Sequence, residues 1–76
     1  MVKVFVLIET SIGATPKIKE TLSEILEVKL VHSVTGPFDI ILLLEAESTE
    51  KISEVVLKQI RAIEGVSRTL TCVVMG

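Results

Sequence analysis

The chain carries few groups that could do chemistry. It has one histidine, His32, and one cysteine, Cys72. A histidine works as a general acid or base only beside a partner that orients it. His32 has no distinctive partner; it lies in an alternating stretch where its parity matches the core-facing set, and it reads as a partly buried structural or surface histidine. Cys72 lies between Leu70 and Val74 in a strand-like run, where a cysteine behaves as a small hydrophobe rather than a nucleophile. Without a Cys-x-x-Cys pair or a histidine cluster there is no metal-ligand set. No catalytic residue, metal site or cofactor is therefore expected. A single cysteine also precludes an intrachain disulfide, and a reducing compartment is the simplest reading.

Phosphate and nucleic-acid chemistry are equally poorly supported. Gly13 is isolated, and no glycine-rich loop precedes a lysine. Eight basic residues stand against ten acidic ones, for a net charge of −2. No broad phosphate-neutralising surface follows from that balance. No exposed aromatic pair offers a platform for stacking bases. Lys17, Lys19, Lys51 and Lys58 read as solvated helix faces, and direct nucleic-acid binding is not expected.

One segment stands out, Thr35-Gly36-Pro37-Phe38-Asp39-Ile40. Glycine followed by proline makes a turn of fixed backbone, and Asp39 sets a carboxylate at the start of an apolar strand. Two accounts stand side by side. Asp39 accepts backbone N–H groups as ordinary turn chemistry, or the turn and its carboxylate border a small-molecule pocket. In the second, Asp39 pairs with an ammonium group and free backbone N–H groups hold a carboxylate.

The elements that must position this turn follow from periodicity. Val2, Val4, Val6 and Ile8 alternate with Lys3, Phe5, Leu7 and Glu9, as in a strand. Thr15-Pro16 starts a helix, threonine as the cap and proline at the first helical position. Ile18, Leu22, Ile25 and Leu26 form its apolar stripe, with an end near Glu27. Val28 to Thr35 alternates again, with Val28, Leu30, His32 and Val34 opposed to Lys29, Val31, Ser33 and Thr35. Gly36-Pro37 breaks that strand, and Phe38 to Ala46 resumes it as a hairpin partner. Ser48-Thr49-Glu50 opens a second helix with Ile52, Val55, Val56, Ile60 and Ile63 on one stripe. Gly65 suits its C-terminal cap. Val66 to Met75 is the last strand, with Val66, Leu70, Cys72 and Val74 opposed to Ser67, Thr69, Thr71 and Val73.

The order β-α-β-β-α-β predicts an α+β, ferredoxin-like fold, a four-stranded antiparallel sheet with two helices on one face and the first and third strands central. Two helices cover only one face. The expected open face carries Phe5, Leu7, Val31, Ile41, Leu43, Thr69, Thr71 and Val73, and monomers rarely expose so large an apolar patch. The face is expected to pack on the same face of a second copy, a dimeric α+β barrel with Phe5, Leu7, Val31, Ile41, Leu43 and Val73 at the interface. A one-residue error in parity would exchange the two sets of a strand. At 76 residues the chain is one domain, and such small domains are marginal as monomers. Its longest apolar runs, Val4 to Ile8 and Ile40 to Leu44, are far too short to cross a membrane.

The segment from Thr35 to Leu42, then a helix, then Ile63-Glu64-Gly65-Val66-Ser67-Arg68-Thr69-Leu70-Thr71-Cys72-Val73-Val74, resembles the effector-binding domain of the Lrp/AsnC (feast/famine) transcription regulators. That family shows a Gly-x-aromatic-Asp turn, then Gly-Val and a Thr-x-Thr final strand, in this order and at this spacing. The likeness covers essentially the whole chain. It implies a domain that dimerises through face-to-face sheets, assembles into octamers or similar rings, and binds amino acids between dimers. By that likeness Gly36, Pro37, Phe38 and Asp39 are pocket-turn positions, and Thr69 and Thr71 are final-strand positions. Phe38 stands where the family frequently has tyrosine and lacks its hydroxyl.

The regulators place a helix-turn-helix DNA-binding domain ahead of this one, whereas here the first strand begins at residue 2. The expectation is a stand-alone, cytoplasmic effector domain over residues 1–76 without enzymatic activity. Its expected partners are an amino acid, further copies of itself and a full-length Lrp/AsnC regulator, with no membrane contact. The alternative is a small dimeric α+β-barrel enzyme, isomerase- or monooxygenase-like. That reading needs a polar pocket between sheet and helices, against which the apolar interior argues. A third reading is a pure assembly module with an empty interface.

Overall fold

The computed structural model describes all of residues 1–76. Four strands and two helices alternate as expected: β1 (Val2–Thr10), α1 (Thr15–Ser23), β2 (Val28–Ser33), β3 (Ile40–Ala46), α2 (Thr49–Val55) and β4 (Val66–Val73). A π-helical turn, Val56–Ile60, prolongs α2. The sheet order is β2-β3-β1-β4, antiparallel throughout, so β1 and β3 are central. This is the ferredoxin-like arrangement, and no helix is long and apolar enough to cross a membrane.

The central pair keeps an unbroken register from Val2↔Ala46 to Ile8↔Ile40. Residues opposite one another share a face, so Val4, Val6, Ile8, Ile40, Leu42, Leu44 and Ala46 all point to the helices and are buried. Ile18 and Leu22 of α1, and Ile52, Val55, Val56 and Ile60 from α2 and its π turn, close over them, completing a core of 13 residues. No polar side chain is buried with them.

Both outer strands depart from simple alternation, in the same way. Each is entered through a tight turn, Ile25 to Val28 and Ile63 to Val66, in which the last residue's N–H donates to the first residue's carbonyl. Val28 pairs with Leu44 and Val66 with Thr10, so both point to the helices. The register then shifts by one residue, at Lys29 in β2 and at Ser67 in β4. A bulge leaves one residue unpaired and reverses which face the following side chains take. Past it, Leu30↔Leu43 and His32↔Ile41 lie on the open face, while Val31↔Leu42 points inward. Likewise Arg68↔Glu9, Leu70↔Leu7 and Cys72↔Phe5 lie on the open face, while Thr69↔Ile8, Thr71↔Val6 and Val73↔Val4 point to the helix side.

The parity of β2 and β4 is thereby corrected. Val31 and Val73, expected at an interface, face the helix side, as do Thr69 and Thr71. Leu30, His32, Leu70 and Cys72 take their places, and Cys72 is exposed rather than buried.

The helices differ from expectation at their ends. Thr15 is the first residue of α1 rather than its cap: Ala14 precedes the helix without a capping side chain. The Thr15 hydroxyl is engaged instead with that of Thr10, at 2.7 Å. Pro16 holds the first turn, where its missing N–H costs nothing. The helix stops at Ser23 rather than near Glu27, leaving through i→i−3 hydrogen bonds at Glu24 and Ile25, and Leu26 is exposed. Ser48 caps α2 as expected, accepting the Lys51 N–H at 3.1 Å. Gly65 has φ +99°, and a Cβ there would meet Ile18 Cδ1 at 3.0 Å and Ala14 Cβ at 3.1 Å.

Candidate functional site

The six residues between β2 and β3, Val34 to Asp39, fold back over the end of β1. Val34 N–H donates to the Asp39 carbonyl at 2.9 Å, and Asp39 N–H to the Ile8 carbonyl at 2.9 Å. The Asp39 carboxylate accepts the Thr10 N–H through Oδ2 at 2.8 Å. Asp39 thus continues the β3–β1 ladder with its side chain just where β1 ends. The Gly36 backbone, at φ +120°, lies in the region that disfavours every residue with a Cβ.

The ordinary turn chemistry of Asp39 is therefore present, and it leaves donors over. The backbone N–H groups of Thr35, Gly36 and Phe38 donate to nothing within the chain. Oδ1 of Asp39 has no protein partner either. Gly36 and Pro37 are exposed; Phe38 and Asp39 are half-buried.

One side-chain contact ties this turn to β4. The Arg68 guanidinium carbon stands 4.9 Å from the centre of the Phe38 ring. Its Nη2 is 3.6 Å from Glu9 Oε2. Ser67, the bulged residue, donates its hydroxyl to the Glu9 carbonyl at 3.0 Å. Sequence reasoning does not single out Arg68 or Glu9, because the bulge that turns Arg68 toward the turn is invisible to residue alternation.

Thr69 and Thr71 are not part of that cluster. Both point to the helix side, and Thr71 lines a shallow depression of about 240 Å³ with Ile52, Ser53, Val56 and Leu57. None of the chain's principal depressions is lined by Gly36, Pro37, Phe38 or Asp39. Within one chain the two groups of candidate residues do not share a cavity. His32 is exposed on the open face.

Outside this region, an ion pair on α2 shifts the titration of both its members. Lys51 Nζ binds Glu54 Oε1 at 2.9 Å, and that hydrogen bond and charge raise the lysine above its ordinary pKa and lower the glutamate below its own.

The open face itself is apolar at its centre. Phe5, Leu7, Ile41 and Leu43 of the central strands are flanked by Leu30 and Leu70 from the edges. Phe5 is 37% exposed, and Leu30 and Leu70 are each 48% exposed. Charges sit at the rims, Lys3 opposite Glu45 at one end and Glu9 opposite Arg68 at the other.

The ligand-binding-domain model of the Lrp/AsnC family matches residues 3–76. The chain belongs to the Lrp/AsnC family. It is 38% identical over 72 residues to the HTH-type transcriptional regulator PF0250 of Pyrococcus furiosus, covering 91% of this chain and 48% of that protein. It spans less than half the length of the curated relatives it matches. The crystal structure of TTHA0845 from Thermus thermophilus superposes with a TM-score of 0.96 at 34% identity, covering 100% of this chain and 95% of that one. The L-Met complex of the transcriptional regulator NMB0573 from Neisseria meningitidis superposes with a TM-score of 0.91 at 18% identity, covering 99% and 50%. That last likeness is one of fold. Lrp/AsnC membership makes this chain a ligand-binding domain of the transcription-regulator type and not an enzyme.

Proposed function

We propose that this chain is an amino-acid effector-binding and oligomerisation module that acts on transcription indirectly, in the cytoplasm. Two copies pack open face to open face through Phe5, Leu7, Ile41 and Leu43, with Leu30 and Leu70 extending the contact. Such dimers assemble further, and the effector sits where subunits meet. The observation that carries the reading is the turn from Val34 to Asp39, with three unengaged backbone N–H groups beside a carboxylate whose second oxygen is free. An α-amino acid carries a carboxylate for the first and an ammonium for the second. The L-methionine bound by the structurally similar NMB0573 is of this chemical class.

Because the turn lines none of the chain's principal depressions, a second subunit supplies the remaining wall. Thr69 and Thr71, on the opposite face, contribute from a neighbouring subunit or serve only the fold. The effector then shifts the assembly in proportion to its differential affinity for the assembled states. The regulated partner is a full-length Lrp/AsnC regulator joined by mixed assembly, or the module responds to the amino acid on its own.

The test is calorimetric titration of the twenty amino acids, run alongside light scattering. Saturable binding of one or a few amino acids, with a change in molar mass, is expected. No binding and no mass change at millimolar concentrations would sink the sensing reading.

A further inference from the structure

The geometry points to Arg68 as the side chain that receives the effector's carboxylate, with Phe38 holding its guanidinium in place. This rests on the effector-binding reading above and adds a residue to it.

Three observations converge. First, the bulge at Ser67 reverses the side-chain direction of β4, so Arg68 leaves the strand on the open-face side, where it reaches the Phe38 ring at 4.9 Å. Without that bulge, Arg68 would point toward the helices and away from the turn. Second, the guanidinium is oriented but not consumed. Its approach to Glu9 Oε2, at 3.6 Å, is an ion pair longer than a hydrogen bond, and Arg68 makes no side-chain hydrogen bond within the chain. A guanidinium has five N–H donors in a planar fork that matches a carboxylate, and none of them is taken up by a hydrogen bond within the chain. Third, these donors lie beside others of the same polarity. Phe38 carries the ring under the guanidinium, and its own N–H, like those of Thr35 and Gly36, has no partner.

The charge order along the end of β1 suits a zwitterion. The Asp39 carboxylate is fastened to Thr10 on the β3 side of β1, and the Arg68 guanidinium stands on its β4 side opposite Glu9, with which it pairs. Phe38 acquires a role that needs no hydroxyl: a flat aromatic face attracts a cation through its quadrupole. Glu9 and the ligand carboxylate then compete for one guanidinium, and Ser67, bonded to the Glu9 carbonyl, fixes the backbone at the bulge.

The test compares free acids with their amides. Each of the twenty L-amino acids is titrated into the wild-type protein and into Arg68→Gln by calorimetry, and the best binder is repeated as its carboxamide. Mass is followed by light scattering. Arg68→Gln is expected to weaken the free acid by about tenfold or more, the scale of a hydrogen bond to a charged group, while leaving the amide's affinity unchanged. Arg68→Lys, which keeps the charge but not the fork, is expected to fall between. If wild type binds an amino acid and Arg68→Gln keeps the same preference for acid over amide, the assignment is overturned while the effector reading stands. A change in mass without a change in that preference overturns it in the same way and makes Arg68 an assembly contact. If no amino acid binds wild type, both readings fall together.

Discussion

The same two strands build both faces of the sheet, and the faces end up in different states. Toward the helices, β1 and β3 send Val4, Val6, Ile8, Ile40, Leu42 and Leu44, every one buried. Away from the helices they send Phe5, Leu7, Ile41 and Leu43, all left partly exposed. The side chains are equally apolar on the two sides. The difference is supply: two helices cover one face, and nothing in the chain covers the other. One face therefore folds the molecule, while the other is left uncovered, and the association proposed above is through that face because a contiguous apolar patch commonly marks an interaction site. The outer strands sharpen the contrast. Their bulges bring Leu30 and Leu70 to the open face and leave Val31 facing the helices.

Substitutions that strike one face only should separate the two roles. Leu42→Ala, in the centre of the helix-side core, is expected to cost about 2–5 kcal/mol of folding stability through the cavity it leaves, measured by chemical denaturation. A loss below about 1 kcal/mol would mean that this face is looser than its burial implies. A paired test at adjacent positions of β2 comes next. Val31→Asp should lower stability by about 1–3 kcal/mol by burying a polar group without a partner. Leu30→Asp should leave the fold intact and weaken self-association, seen as a midpoint that no longer depends on protein concentration. The opposite pattern would restore the unbulged register.

Gly65→Ala probes the tight helix-side joint where α1 meets the turn into β4. It is expected to cost about 1–3 kcal/mol, because the new Cβ meets Ile18 and Ala14 at 3.0 and 3.1 Å in a left-handed backbone. A smaller loss, about 1 kcal/mol, is expected for Ser48→Ala, which frees the Lys51 N–H at the start of α2. It should change thermal stability without altering molar mass.

How far residue patterns reveal such a structure depends on the regularity of each strand. In β1 and β3 alternation is a sufficient guide, because their mutual register has no break between Val2 and Ile8. The family turn and the Gly-Val entry into β4 are legible for a similar reason, since their residue types are forced by backbone geometry at Gly36 and by close packing at Gly65. In β2 and β4 the same counting fails at one residue each, Lys29 and Ser67, and assigns the side chains beyond to the wrong face. A bulge is set by how an edge strand meets its neighbour, and a polar residue after the first apolar residue of a strand looks the same with or without it. The Thr15 hydroxyl misleads as a helix cap because its partner, Thr10, lies in another element. The Arg68–Phe38 contact is hidden twice over, by the bulge and by the sequence distance between its members.

The most direct test of the account is the molar mass of the wild-type protein and of Leu43→Asp, by light scattering with circular dichroism as a check on folding. The wild type should give an even multiple of its 8.3 kDa protomer mass. Leu43→Asp should give a smaller species with unchanged secondary structure, because the charge lies on the open face and outside the core. A wild-type monomer, or a Leu43→Asp variant that keeps the full wild-type mass, would contradict the claim that this face joins one copy to another.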